Sequence, residues 1–266
     1  MSETKHDEIR QTVREQYGQI AERDDCGCGS ACCGSAPASA DALSQTLGYS
    51  ADETGAVPEG ANLGLGCGNP QAIAALQAGE TVLVSAASGA VGSMVVQLAK
   101  RAGARVIGST GSADKVTYLK SLGADEVINY RETPDLDTEL ARLTPEGIHV
   151  YFENVGGAML DAALNHLVVH GRIVLCGLIE QYNSNGQASG PRNLSQVIRK
   201  RILMQGLLVS DHWQHYGDFL AEAIPAFEAG ALQAEETISE GLASMPQAFI
   251  GLFQGRNTGK MLVRLP

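Results

Sequence analysis

From Thr81 onward, short apolar runs rich in β-branched residues alternate with amphipathic helical stretches, and this alternation constrains the fold more than any other feature. TVLVSA (81–86) precedes VGSMVVQLAKRA, ARVIGST (104–110) precedes SADKVTYLKSLG, and EVINY (126–130) precedes DLDTELARL. HVYFEN (149–154) precedes GAMLDAALNHL, GRIVLCG (171–177) follows, and MQGLLV (204–209) is a sixth strand candidate. Apolar strands joined by helical crossovers require a parallel sheet covered on both faces. The expected fold class is α/β, a doubly wound parallel sheet preceded by an irregular, partly helical N-terminal extension.

That extension has a different character. Ile9, Val13, Tyr17 and Ile20 fall on one helical stripe within residues 4–23. CGCGSACCGSAPASA (26–40) is built from small residues and cysteine and cannot supply a core by itself. Asn69-Pro70 reads as a helix N-cap followed by proline at the first helical position. The net charge of −11 argues against a nucleic-acid partner, because phosphate neutralisation needs clustered Lys and Arg. Arg199–Lys200–Arg201 reads as the solvated end of a helix. No apolar run reaches the roughly 20 residues needed to cross a membrane, and the polar N-terminus is no secretory signal. A cytoplasmic location with its six cysteines reduced is the expectation.

The first strand runs into Ala86-Ala87-Ser88-Gly89-Ala90-Val91-Gly92-Ser93. Gly89 and Gly92 permit a tight turn and let a pyrophosphate approach the N–H groups of the following helix. Ala87 replaces the first glycine of the full dinucleotide fingerprint, so the turn alone is a weak signal, with a plain strand–helix connection as the lesser alternative. The acid that holds the ribose of NAD is expected about 20 residues further on. That interval reaches Gly108-Ser109-Thr110-Gly111, which offers hydroxyls and no carboxylate, with Lys115 on the next helix. Hydroxyls plus a cation suit a 2′-phosphate and favour NADPH over NADH. The alternative makes Lys115 a solvated helix residue.

GETVLVSAASGAVGSMVVQLAK, GSADK, LGADEVINY, VYFENVGG, GRIVLCGLIEQYN and GRNTGKMLV occur in this order between residues 79 and 266. They resemble the cofactor domain, a doubly wound (Rossmann) sheet, of zinc-independent medium-chain dehydrogenase/reductases of the prostaglandin and alkenal reductase type. The resemblance implies that Ala87, Gly89, Ala90, Val91 and Gly92 surround the pyrophosphate. It implies that Ser109, Lys115 and Tyr130 hold the adenosine 2′-phosphate. Asn154, Val155, Cys176 and Gly177 would flank the nicotinamide half, and Asn257 would touch its carboxamide. Tyr182 would face the substrate. The implied chemistry is hydride transfer from NADPH to an α,β-unsaturated carbonyl, with Tyr182 donating to the oxygen on which charge accumulates. Water could return the proton. Two plainer alternatives remain open: Tyr130 merely ends a strand, and Cys176 is a packed thiol.

Residues 12–83 instead resemble the start of an arsenite methyltransferase, through TVREQYGQIA, CGCGSACCG, LGYS and VPEGANLGLGCGNPQAIAALQAGETVL. This resemblance implies soft thiolate ligands for trivalent arsenic at Cys32 or Cys33 and at Cys67. Cys26, Cys28, Cys32 and Cys33 as a zinc site, or as idle thiols, are the alternatives. The methyl-donor motif is missing after the strand, so the turn reads as a nicotinamide-dinucleotide turn. The switch falls within LQAGETVL (76–83), dividing the chain into an arsenite-methyltransferase-like segment (1–78) and an NADPH-binding domain (79–266). The reductase family's β-rich catalytic domain is expected to have no counterpart in these residues. Its absence implies impaired turnover of a small-molecule substrate and leaves the C-terminal KMLVRL without the sheet it normally joins. The first functional expectation is an enone reductase, with a non-catalytic NADPH-binding module and an arsenite-binding protein as alternatives. The resemblance also implies a homodimer through the 204–209 edge strand.

Overall fold

The computed structural model of the chain describes residues 76–182 and 190–265. The chain divides into two units. The first, Met1–Gly68 with Leu208–Tyr216, is described over its second piece, where a 3-10 turn at Val209–His215 leads to Tyr216 and the Trp213 ring stacks on Tyr216 at 4.4 Å. The second unit, Asn69–Leu207 with Gly217–Pro266, holds the sheets.

Its order is β1 (Thr81–Val84), α1 (Ala90–Arg101), β2 (Arg105–Thr110), α2 (Ala113–Ser121), β3 (Glu126–Asn129), α3 (Leu136–Leu143), β4 (Ile148–Glu153) and α4 (Gly157–His166). There follow β5 (Leu167–Leu175), α5 (Ile179–Tyr182), α6 (Ser195–Lys200) and β6 (Leu203–Gly206). All six strands are parallel, in the order β3-β2-β1-β4-β5-β6. The direction of winding reverses between β1 and β4, and such a switch point opens a crevice at the strands' carboxyl ends.

The two faces are filled by alternate residues of each strand. Val82, Val84, Val106, Val150, Phe152 and Val174 pack with Val95, Val96 and Ala99 of α1 and Leu119 of α2. Leu83, Ile107, Ile128, Tyr151 and Ile173 pack on the other face with Leu140 and Leu143 of α3 and Met159, Leu160 and Leu164 of α4. Each such side chain, removed from water, contributes roughly 1.5–3 kcal/mol. Double-sided burial is what produces the unbroken apolar runs in the sequence.

The chain ends in α7 (Tyr216–Glu228), β7 (Glu236–Glu240), α8 (Met245–Phe253) and β8 (Lys260–Arg264). The expectation that KMLVRL lacks a sheet is corrected, because β8 pairs in parallel with β7 from Glu236↔Lys260 to Glu240↔Arg264. Strand bounds shift as well. β6 stops at Gly206 rather than at residue 209, although the Leu207 N–H still bonds the Leu175 carbonyl. β5 begins at Leu167, directly after α4. It passes through His170 at φ +62° and a register shift opposite Ile148–Val150.

At the opposite, amino ends of the strands, Arg172 of β5 reaches across β4 to Glu80, with Nη2 2.5 Å from Oε2. Burial alone would raise the Glu80 carboxyl. The hydrogen bonds from Arg172 and from the Gln77 amide outweigh burial and hold it below its ordinary value of 4.5. A depressed carboxyl stabilises the fold fully above that ordinary value and loses this contribution as pH falls through the folded-state pKa. Glu80→Gln is therefore expected to lower stability by about 1 kcal/mol at neutral pH. In urea titrations at stepped pH, the gap from the unsubstituted protein should close below about pH 4. A gap independent of pH would deny the ion pair its role.

Candidate functional site

The connection from β1 to α1 is held from three sides. The Ser85 N–H bonds the Phe152 carbonyl at 3.1 Å, the Ala87 N–H bonds the Ser109 carbonyl at 2.9 Å, and the Gly89 N–H bonds the Ala86 carbonyl at 3.0 Å. Ala86 takes φ +46°, a region that non-glycine residues seldom occupy. Gly92, in the first turn of α1, lies against this bend. A Cβ there would stand 2.5 Å from the Ala86 oxygen and 2.6 Å from the Ala87 Cα, both rigid backbone atoms. The N-cap, Gly89, supplies no side-chain cap, and no acidic residue sits in the first turn. The helix therefore presents its N–H groups and the positive end of its dipole to the crevice, an arrangement that attracts anions. Ala87 is fully buried, while Ala90 and Val91 are half-buried.

At the end of β2, Ser109 and Thr110 are buried, and Thr110 Oγ1 lies 2.9 Å from Ser88 Oγ. No carboxylate occupies Ser109-Thr110-Gly111-Ser112. Gly111 is packed close, since a Cβ there would meet the Tyr130 hydroxyl at 2.6 Å and Arg131 Nε at 3.2 Å. Tyr130 is 43% exposed. Lys115 donates to the Gly255 carbonyl at 2.5 Å, and Arg131 Nη2 to the Gln254 carbonyl at 3.4 Å. Burial pushes the Lys115 amine below its ordinary range, and the neighbouring positive Arg131 pushes it further. The sequence reading passed over Arg131, although it stands directly after Tyr130 at the same strand end.

At the ends of β4 and β5, Asn154 and Val155 face Cys176 and Gly177, all four half-buried. The N–H groups of Cys176 and Gly177 both bond the Glu153 carbonyl, at 2.9 and 3.1 Å. Those of Ile179 and Glu180 bond the carbonyls of Asn154 and Val155, at 3.2 and 3.0 Å. Asn154 also bonds back to Ser85, through its N–H to Oγ at 2.8 Å and its Nδ2 to the carbonyl at 2.7 Å. Glu153 is fully buried and was not singled out in the sequence. Burial pushes the nearby Tyr151 phenol well above its ordinary range, and Glu153 acts in the same direction.

Two expected residues lie nearer the rim. Tyr182 ends the short α5 and is 59% exposed. Asn257 turns its amide onto its own loop, Nδ2 bonding the Gly259 carbonyl at 2.7 Å. That loop reaches the turn after β1, because the Gly259 N–H bonds the Ser88 carbonyl at 2.8 Å. The structure thus gathers Ala87, Gly89, Ala90, Val91, Gly92, Asn154, Val155, Cys176 and Gly177 around linked turns at the strand ends. It groups Lys115 and Tyr130 with Arg131 beside the end of β2. Cys26, Cys28, Cys32, Cys33 and Cys67 lie outside the described residues. Among the described residues, no group of three or more His, Cys, Asp and Glu side chains is placed to hold a metal ion. No helix among them is long and apolar enough to cross a membrane.

This sheet order, with a glycine-containing turn at the switch point, defines a doubly wound domain of the Rossmann type. The family model described as zinc-binding dehydrogenase matches residues 90–224, half of the chain, and the chain belongs to that family. A 2-alkenal reductase (NADP(+)-dependent) of Nicotiana tabacum is 52% identical over 186 residues, covering 70% of this chain and 54% of the tobacco protein. Prostaglandin reductase 1 of Mus musculus is 40% identical over 196 residues, covering 72% of this chain and 59% of the mouse protein. The crystal structure of CurA from Vibrio vulnificus in complex with NADPH superposes with a TM-score of 0.69 at 42% identity, covering 74% of this chain and 60% of CurA. This chain thus spans little more than half the length of these relatives.

The contact at Gly92 leads to a direct expectation. Gly92→Ala pushes a methyl into backbone that cannot yield, and overpacking of this kind costs about 2 kcal/mol or more. Thermal unfolding monitored by circular dichroism should show the loss. An unchanged melting temperature would mean that α1 does not approach the turn this closely.

Proposed function

We propose that the chain is an NADPH-dependent oxidoreductase that reduces the carbon–carbon double bond of an α,β-unsaturated carbonyl compound. The observation that carries the cofactor assignment is the pairing of Lys115 with Arg131 at a strand end that has no carboxylate, beside a turn into which only Gly92 fits. The residues present fit the cofactor at both points. The uncapped N-terminus of α1 suits a pyrophosphate, and two adjacent cations suit a 2′-phosphate that a ribose-binding acid would repel. The alkenal and prostaglandin reductases among the relatives support the reaction type, since a 2-alkenal is itself a conjugated carbonyl.

When bound, NADPH supplies a hydride for the β-carbon of the substrate. The first-turn N–H groups of α1 bind the pyrophosphate. Lys115 and Arg131, now on the carbonyls of Gly255 and Gln254, would hold the 2′-phosphate, with Tyr130 and Ser109 beside them. The loops at Asn154–Val155 and Cys176–Gly177 hold the nicotinamide half. Tyr182 hydrogen-bonds the substrate carbonyl oxygen, where negative charge accumulates and a donor has its largest effect, and water returns the proton to the α-carbon. Tyr182 is 59% exposed, which predicts slow turnover, since water exclusion and orientation supply much of the rate. The exposed Leu203 on the edge strand β6 suits pairing with a second copy. A thiolate site at Cys32, Cys33 and Cys67 is carried by the sequence resemblance alone.

Loss of NADPH absorbance on adding a 2-alkenal or a cyclic enone is the test. The expected result is enone-dependent oxidation of NADPH, with Tyr182→Phe lowering kcat about tenfold or more. Saturable NADPH binding without oxidation would reassign the chain as a non-catalytic binding module. Lys115→Gln and Arg131→Gln should each weaken NADPH by about tenfold, the scale of one charge-assisted hydrogen bond, and leave NADH unchanged. Equal losses for both dinucleotides would sink the assignment of these cations to the 2′-phosphate.

A further inference from the structure

Glu153 is the most deeply buried acid of the described fold, and the proposed hydride transfer leaves it without a task. It ends β4, on the sheet face otherwise filled by Leu83, Tyr151 and Ile173. A carboxyl at such a position costs free energy unless donors meet it. Two do. Ser85 Oγ donates to Oε1 at 2.6 Å, and the Val155 N–H donates to the same oxygen at 2.6 Å. Among the described residues, no hydrogen-bond partner meets the buried Oε2. The backbone of the same residue is equally engaged, its carbonyl accepting from both Cys176 and Gly177.

These contacts join three separate loops. Ser85 opens the turn after β1, Val155 belongs to the loop after β4, and Cys176–Gly177 begin the loop after β5. Ser85 is itself tied to Asn154 through Oγ and through its carbonyl. The turn after β1 presents α1 to an anion, whereas the two other loops flank the opposite half of the crevice. A carboxyl with both donors on one oxygen fixes the spacing between those halves. An alanine would leave the Ser85 hydroxyl and the Val155 N–H without that acceptor inside the core.

We infer that Glu153 is a positioning residue, whose side chain fixes the loop for the nicotinamide half at a set distance from the pyrophosphate turn. This rests on the proposed NADPH reading of the same crevice. It assigns Glu153 no contact with cofactor or substrate. Its effect is felt by a ligand that spans both halves and not by one that ends at the pyrophosphate turn.

That difference provides the experiment. The full chain and its Glu153→Ala, Glu153→Gln and Glu153→Asp variants are titrated with NADPH and, in parallel, with adenosine 2′,5′-bisphosphate, which lacks the nicotinamide half. Glu153→Ala should weaken NADPH by about tenfold or more while moving the bisphosphate by less than about twofold, since buried donors lose a strong acceptor. Glu153→Gln keeps an oxygen able to accept from both donors and should stay within about threefold of the unsubstituted protein for both ligands. Glu153→Ala that binds NADPH as tightly as the unsubstituted protein, or that loses both ligands equally while folded, overturns the inference. Should Glu153→Ala fail to fold, Glu153→Asp decides, because its shorter side chain cannot meet both donors while every bond of Ser85 to Asn154 is kept. NADPH weakened about threefold or more with the bisphosphate unchanged upholds the inference, and no change in either overturns it. If the unsubstituted protein binds neither ligand, the NADPH reading itself has failed, and the inference fails with it.

Discussion

The close approach of α1 to the backbone of Ala86 and Ala87 is the contact on which the rest of the crevice depends. It is possible only because residue 92 has no side chain. With α1 pressed against the turn, its N–H groups project beyond the end of β1, between the strands where the winding reverses. The turn in turn braces its neighbours, with Ala87 bonded to the end of β2 and Ser85 to the end of β4. A small residue at one helical position thus sets the geometry of the turn and of the two loops beside it. This is how a parallel sheet with a rigid, doubly covered core can carry a finely spaced site at its edge.

Charge is distributed to match. The chain is acidic overall, at −11, yet the end of β2 has no carboxylate and two cations converge beside it. Both are held by backbone carbonyls of the loop after α8, and that same loop bonds the turn after β1 through Gly259. The segment from Gln254 to Gly259 therefore links the cations to the turn, so that one short loop touches both regions that a phosphorylated dinucleotide would occupy. Membership of the zinc-binding dehydrogenase family agrees with this layout.

Much of this was legible in the sequence because the physics is local. β1, β2, β4 and the helices between them follow from apolar runs and helical periodicity, and Gly89 and Gly92 mark the turn by spacing alone. What escaped was set by tertiary contact. β7, ETISE, carries a single apolar residue and forms a strand because β8 lies alongside it. Arg131 is one cation among several in the sequence, and only the fold of α2 against β3 brings it near Lys115. Glu153 reads as a polar residue closing a strand, and its complete burial depends on Ser85 and Val155 arriving from two other places. Ser109 was legible as a hydroxyl at the correct count, yet the structure buries it and engages its carbonyl with Ala87.

The most direct measurement is a crystal structure of the full chain grown with NADP+. Pyrophosphate oxygens are expected within hydrogen-bond distance of the N–H groups of Ala90, Val91 or Gly92, and the 2′-phosphate between Lys115 and Arg131. A dinucleotide seated elsewhere, or bound at the turn with both cations still on the carbonyls of Gly255 and Gln254, would contradict this placement.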